Sequence, residues 1–190
     1  MNPLFEASWE IHQYFWQNQI PYAVIGGMAL QKWGDQRFTK DVDITIVASL
    51  EEGTSGLVGL IANRFHSRVR NPLEFVRKTR MILVTASNRV DVDISLALPG
   101  YEDEMYKHTV DYEIETGKSI RLCSAEDLII HKAIAGRPQD VSDIQGIVYR
   151  QGEKLDVSYI RKWLNEFSGV LANPALLEHF ELAWLKLQDN

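Results

Sequence analysis

Apolar and polar positions along the chain alternate with two different periods. Over residues 3–19, Leu4, Phe5, Trp9, His12, Phe15 and Trp16 are spaced for one buried helical face, and Pro21 closes the helix. Tyr22 to Ile25 is a short apolar run that reads as a strand. Gly26-Gly27 then turns the chain into a helix from Met28 to Trp33 that stops at Gly34. Residues 41–48 alternate cleanly, with Val42, Ile44 and Ile46 on one face and Asp41, Asp43 and Thr45 on the other. A helix is expected over 55–66. Strands are expected over 79–86 and 89–98, joined as a hairpin at Ser87-Asn88, the second ended by Pro99-Gly100. A short helix over 101–107 and a strand over 119–123 follow. Ser124, with Asp127 three residues on, opens a helix that Gly136 and Pro138 end. Helices over 139–150, 156–168 and 174–188 complete the chain. Two apolar stripes lie on the last pair, Tyr159/Ile160/Trp163/Leu164/Phe167 and Leu176/Leu177/Phe180/Trp184/Leu187, and read as core or subunit contact. The pattern predicts an α+β fold, a small mixed β-sheet flanked by helices with a helical C-terminal part. The expected division is a domain over 1–150 and a helical extension over 151–190 packed on it.

Composition narrows this picture in three ways. With 45% apolar and 24% charged residues over 190 positions, the chain is an ordinary globular mixture and not a disordered one. A net charge of −6 would repel nucleic acid, so any such binding needs a local basic patch. Cys123 is the single cysteine, which rules out a disulfide within the chain and suits a reducing cytosol. The N-terminal stretch carries Glu6 and Glu10 and lacks the basic flank of a signal peptide. The apolar run Tyr22 to Leu30 contains two glycines and falls short of the roughly 20 residues of a membrane span. The expectation is a cytoplasmic protein with no membrane association.

The candidate chemistry lies in the carboxylates. Asp41 and Asp43 sit two apart on a predicted strand, so both leave one face, where their mutual repulsion is relieved by a hard divalent cation. Asp91 and Asp93 repeat the arrangement between Val90, Val92 and Ile94. If the two strands are neighbours, one acid of the second completes a three-acid cluster, which can hold two metals across an in-line phosphoryl displacement. Upstream, Gly26-Gly27 lies between a strand and a helix, where backbone N–H groups can approach a phosphate.

Taken together, Gly26-Gly27-Met28-Ala29-Leu30 followed by Arg37-Phe38-Thr39-Lys40-Asp41-Val42-Asp43 resembles the nucleotidyltransferase superfamily motif. The flanking Arg37 and Thr39 resemble the branch that contains the AbiEii-type toxins of type IV toxin–antitoxin systems. Val92-Asp93-Ile94-Ser95-Leu96-Ala97 with Tyr101-Glu102 is similar to the strand carrying the family's third acid, and its spacing favours Asp93 over Asp91. Ser124 to Lys132, with Arg137, Asp140 and Asp143-Ile144, resembles the helical segment after the sheet. The likeness covers roughly residues 20–148. It implies a nucleotidyltransferase-like fold and transfer of an NMP from an NTP to an acceptor hydroxyl on RNA, protein or a small molecule. It also implies Asp41, Asp43 and Asp93 as catalytic and metal-binding residues for two Mg2+ ions, with Mn2+ as the alternative. Gly26, Gly27, Arg37, Thr39, Lys132 and Arg137 would face the nucleotide, and an antitoxin protein would be a partner. On the Lys132 helix, Leu128, Ile129 and Ile134 are expected to face the core, with Lys132 at the margin of their stripe.

Other signals fail or stay open. Gly117-Lys118-Ser119 ends like a P-loop, but Tyr112 stands where the upstream glycine is required. No Gly-x-Ser-x-Gly is present, and His12, His66, His108, His131 and His179 are scattered. Arg64, Arg68, Arg70, Arg77, Lys78, Arg80 and Arg89 face a single acid, Glu74, within residues 61–90, a local excess suited to guiding an RNA acceptor. Two alternatives remain: a non-catalytic nucleotide- or partner-binding module of the same fold, and a glycosyltransferase using Asp-x-Asp under a nucleotide-sugar diphosphate.

Overall fold

A computed structural model describes residues 2–47, 54–96 and 100–189, with Thr54 and Glu102 described by their backbone alone. Its elements run α1 (Pro3–Gln17), β1 (Tyr22–Val24), α2 (Gly26–Trp33), β2 (Asp41–Ile46), α3 (Thr54–Arg64), β3 (His66–Ser67), α4 (Pro72–Thr79), β4 (Met81–Thr85), β5 (Asp91–Leu96), α5 (Glu102–Lys107), β6 (Val110–Glu115), β7 (Lys118–Leu122), α6 (Ala125–Ala135), α7 (Pro138–Gln151), α8 (Val157–Leu171) and α9 (Ala175–Gln188). The expected ends of the two acid-bearing strands at Ala48, Ala97 and Leu98, and the stop at Pro99, lie outside the described residues. Among the described residues, no helix is long and apolar enough to cross a membrane.

The described chain forms two compact units: Met1–Gly27 with Phe38–Cys123, and Met28–Arg37 with Ser124–Asn190. The first holds a seven-stranded mixed sheet in the order β3-β4-β5-β2-β1-β7-β6. β2 and β5 run parallel at its centre, while β4 pairs with β5, and β1 with β2, antiparallel. A parallel neighbour cannot be reached by a tight turn. The chain therefore leaves β2, passes through α3, β3, α4 and β4, and returns as β5. The hairpin at Ser87-Asn88 closes through Ala86 N donating to Val90 O at 2.9 Å, with Arg89 at φ +68°. Alternation decides the burial: Val42, Ile44, Ile46, Val92, Ile94 and Leu96 are almost wholly enclosed.

The second unit packs α6 against α7 and α8, and α7 against α9. Packing groups α6 and α7 with the C-terminal helices α8 and α9. The cap at Ser124 forms as expected: its Oγ accepts from Asp127 N at 3.0 Å, and Gly136 ends the helix at φ +63°. Ile160, Trp163, Leu164 and Phe167 of α8, and Leu176 and Phe180 of α9, are buried, so most of the two stripes are core. Three elements escaped the sequence pattern. β3 has two residues, α4 buries only Val76, and β6 has no fully buried side chain.

Candidate active site

The register of the central strands builds the acid cluster. Asp41 pairs with Asp91 and Asp43 with Asp93 across the parallel β2–β5 ladder. Side chains at i and i+2 leave the same face, and neighbouring strands lie about 4.8 Å apart, so four carboxylates form a two-by-two array. Three of them, Asp41, Asp43 and Asp93, each offer an oxygen within 4.8 Å of the other two, and all three are partly buried. Hard carboxylate oxygens suit a divalent cation such as Mg2+. Around one Mg2+, opposite ligands stand about 4.2 Å apart and adjacent ones about 3 Å, so the three oxygens would draw together around a single ion. The donor set therefore fits a metal.

Asp91 lies outside the three-acid group and faces other partners. Thr85 Oγ1 donates to its Oδ1 at 3.1 Å, and Arg68 Nη1 donates to its Oδ2 at 3.1 Å. The same guanidinium reaches Asp93 Oδ1 through Nη2. Burial pushes the Asp93 carboxyl above its ordinary value. Arg68 opposes that shift, and the charges of Asp41 and Asp91 add to it. A carboxylate so raised is a better proton acceptor than an exposed one.

The glycine turn is tied to these acids. Gly26 sits at φ +63°, and a Cβ placed there would overlap the Asp43 carboxyl. A Cβ on Gly27 would lie 2.7 Å from Thr39 Oγ1. Thr39 Oγ1 in turn donates to Asp41 Oδ1 at 2.9 Å. Ile25 N donates to Asp43 O at 2.9 Å and holds the turn to the strand. Gly26, Gly27, Thr39, Asp41 and Asp43, separated in the chain, thus meet within the first unit. We predict that Gly26→Ala, which must displace Asp43, lowers transfer on the order of a hundredfold. Steady-state kinetics would measure this, and wild-type rates in a folded Gly26→Ala protein would remove the close approach from the account.

The basic residues Arg37, Lys132 and Arg137 form a separate network in the second unit. Lys132 Nζ stands 2.9 Å from Asp140 Oδ1 and 2.8 Å from Asp143 Oδ2, and the side chain is only 4% exposed. Arg37 Nη2 lies 3.2 Å from Asp143 Oδ2. Arg137 Nε donates to Asp140 Oδ2 at 2.6 Å, yet Arg137 itself is 70% exposed. Burial acts to raise the Asp140 carboxyl, but the hydrogen bonds and charges of Arg137 and Lys132 outweigh it and hold it below its ordinary value. Lys132 is therefore enclosed, and not at the margin of the apolar stripe where the helical spacing predicts it. Two acids from α7 enclose its ammonium.

Much of the basic run at 64–80 is engaged internally. Arg64 pairs with Glu10 at 2.8 Å, Arg68 with Asp91 and Asp93, and Lys78 with Glu74 at 2.7 Å. Arg80 donates to Leu96 O at 3.3 Å. The placement of Arg68 on the acids carries no sequence signal, because it comes from the β3–β4 pairing that alternation did not show.

Comparison with known proteins bears on the fold and the family. No curated protein matches the chain. Among solved structures, an antigenic nucleotidyltransferase-like protein from Paracoccidioides brasiliensis has a TM-score of 0.53 at 17% identity, covering 95% of this chain and 93% of that one. The antibiotic-resistance factor ANT(2'')-Ia in solution has a TM-score of 0.52 at 15% identity, covering 94% and 96%. Its crystal structure in complex with adenylyl-2''-tobramycin has a TM-score of 0.51 at 14% identity, covering 84% and 98%. At these identities the likeness shows the fold. The sequence profile described as "Nucleotidyl transferase AbiEii toxin, Type IV TA system" matches residues 15–148, a range that contains the glycine turn and all three clustered acids. With most of its length matched, the chain belongs to the AbiEii nucleotidyl transferase family.

Proposed function

We propose that this nucleotidyltransferase moves an NMP from an NTP to an acceptor hydroxyl at Asp41, Asp43 and Asp93, as a toxin-like component held in check by an antitoxin protein. The observation that carries the reading is the group of three carboxylate oxygens within 4.8 Å of one another, on paired strands beside a glycine turn. A divalent cation held there would neutralise triphosphate charge and lower the pKa of the attacking hydroxyl. Asp93, the acid raised by burial, is the group assigned to take the hydroxyl proton. The acceptor oxygen then bonds to the α-phosphorus, the bond from that phosphorus to the β-phosphate bridge oxygen breaks, and pyrophosphate leaves. Gly26 leaves room for the Asp43 carboxyl and Gly27 for Thr39, which holds Asp41 in place, and the backbone of this glycine turn is assigned to the phosphates. In the second unit, Lys132, Arg37 and Arg137 hold the carboxylates of Asp140 and Asp143.

Two measurements test this. Calorimetry should show NTP binding at least about tenfold tighter with Mg2+ than without, because three clustered acids repel a triphosphate. Equal affinity in both conditions would overturn the metal site. Incubation of the pure protein with each of four α-labelled NTPs, Mg2+ and cell extract should label one class of acceptor. Recovery of label in RNA, protein or a small molecule would name the acceptor. Label transferred only from a UDP-sugar would replace the reading with glycosyl transfer.

A further inference from the structure

Arg68 stands where a cation is needed, and no nucleotidyl-transfer role accounts for it. Its backbone N–H donates to Leu83 O at 3.0 Å, which fixes its Cα beside the sheet. Its guanidinium spans the Asp91–Asp93 column of the two-by-two array. We infer that Arg68 is an exchangeable counter-cation, which holds Asp93 while no metal is bound, yields it to a divalent ion, and then takes a phosphate of the incoming triphosphate. The inference rests on the reading of Asp41, Asp43 and Asp93 as metal-binding carboxylates.

Three observations support it. Asp93 is claimed twice, by Arg68 and by the three-acid group. A guanidinium and a divalent ion on one carboxylate repel each other at close range, so binding one weakens the other. The pair is also open to solvent, with Arg68 27% and Asp93 29% exposed, so water can replace the bond as it breaks. Finally, Asp91 offers a second anchor. Arg68 can release Asp93 and still pair with Asp91, which is itself held by Thr85. From that pivot the planar fork stays beside the acids and matches two oxygens of a phosphate. Asp91, excluded from the three-acid group, thereby gains a role.

The test reads two affinities of opposite expected sign. Calorimetry with Mn2+ alone should show Arg68→Gln binding the ion about tenfold more tightly than wild type, because a competing charge is gone. Calorimetry with inorganic triphosphate at saturating Mg2+ should show the same variant about tenfold weaker, because a phosphate ligand is gone. Arg68→Lys should move both affinities the same way but less, since one ammonium cannot span both carboxylates. If Arg68→Gln does not fold, Arg68→Lys decides by the same two signs. A residue that merely supports the fold would weaken both. Unchanged or weaker Mn2+ binding, or unchanged triphosphate binding, overturns the inference. If wild type binds Mn2+ and Asp43→Asn does not, but Arg68→Gln shows no gain, only this inference fails. If wild type binds no Mn2+, the metal reading fails with it.

Discussion

Asp43→Asn is expected to abolish nucleotidyl transfer, by about a thousandfold or more, and to leave the fold intact. Asparagine nearly matches aspartate in shape, so the close packing against Gly26 survives. The lost charge is what the three-acid group needs to hold a cation. Asp93→Asn should be as severe, since it removes both a carboxylate of the three-acid group and the proposed proton acceptor. Asp91→Asn should cost far less, because Asp91 is turned toward Thr85 and Arg68 and stands outside the group. Initial rates with the labelled NTP, beside thermal melts of each variant, would measure this. An Asp91→Asn loss equal to that of Asp93→Asn would mean that the wrong acid of the strand has been assigned.

The second large effect concerns stability. Lys132→Ala should destabilise the protein by about 3 kcal/mol, at the lower end for breaking a buried ion pair, because Arg37 and Arg137 still serve the two acids left behind. For a chain of this size, that lowers the melting temperature by roughly 6–12 °C. The pH dependence follows from Asp140. Its folded carboxyl is held below the ordinary value, so its pairing contributes stability above the unfolded carboxylate pKa. That contribution fades as pH falls through the lower folded value. The gap in melting temperature between wild type and Lys132→Ala should therefore be full near neutrality and narrow in acid. A Lys132→Ala protein that melts with wild type at neutral pH would show that the buried network contributes nothing net. Pairing Lys132→Met with Asp140→Asn should recover part of the loss, since it removes charges from both sides of the network.

The strongly patterned parts of the fold are legible in the sequence itself. Val42, Ile44 and Ile46 against Asp41 and Asp43 specify a strand with one core face and one acid face, because strand side chains alternate strictly. Ser124 and Gly136 specify the ends of α6, because a hydroxyl acceptor and a left-handed residue satisfy backbone groups locally. Gly26-Gly27 marked a turn for the same local reason. The helix α4 and the edge strand β6 were missed although both are periodic: Val110, Tyr112 and Ile114 alternate with Asp111, Glu113 and Glu115, but few of the apolar side chains in either element are fully buried.

What tertiary structure alone decided is which charges meet. Asp91 and Asp93 are equivalent in strand geometry. Only the side chains brought by β2, β4 and the segment after β3 separate one that joins Asp41 and Asp43 from one that faces Thr85 and Arg68. Helical spacing placed Lys132 near a surface, and α7 then covered it with Asp140 and Asp143. Arg68 looked like one member of a basic run until the β3–β4 pairing set it against the acids. Periodicity records which face of an element leaves water, a local property repeated along the chain. A charge pair depends on long-range register and packing, and one residue of shift in either would give each charge a different partner.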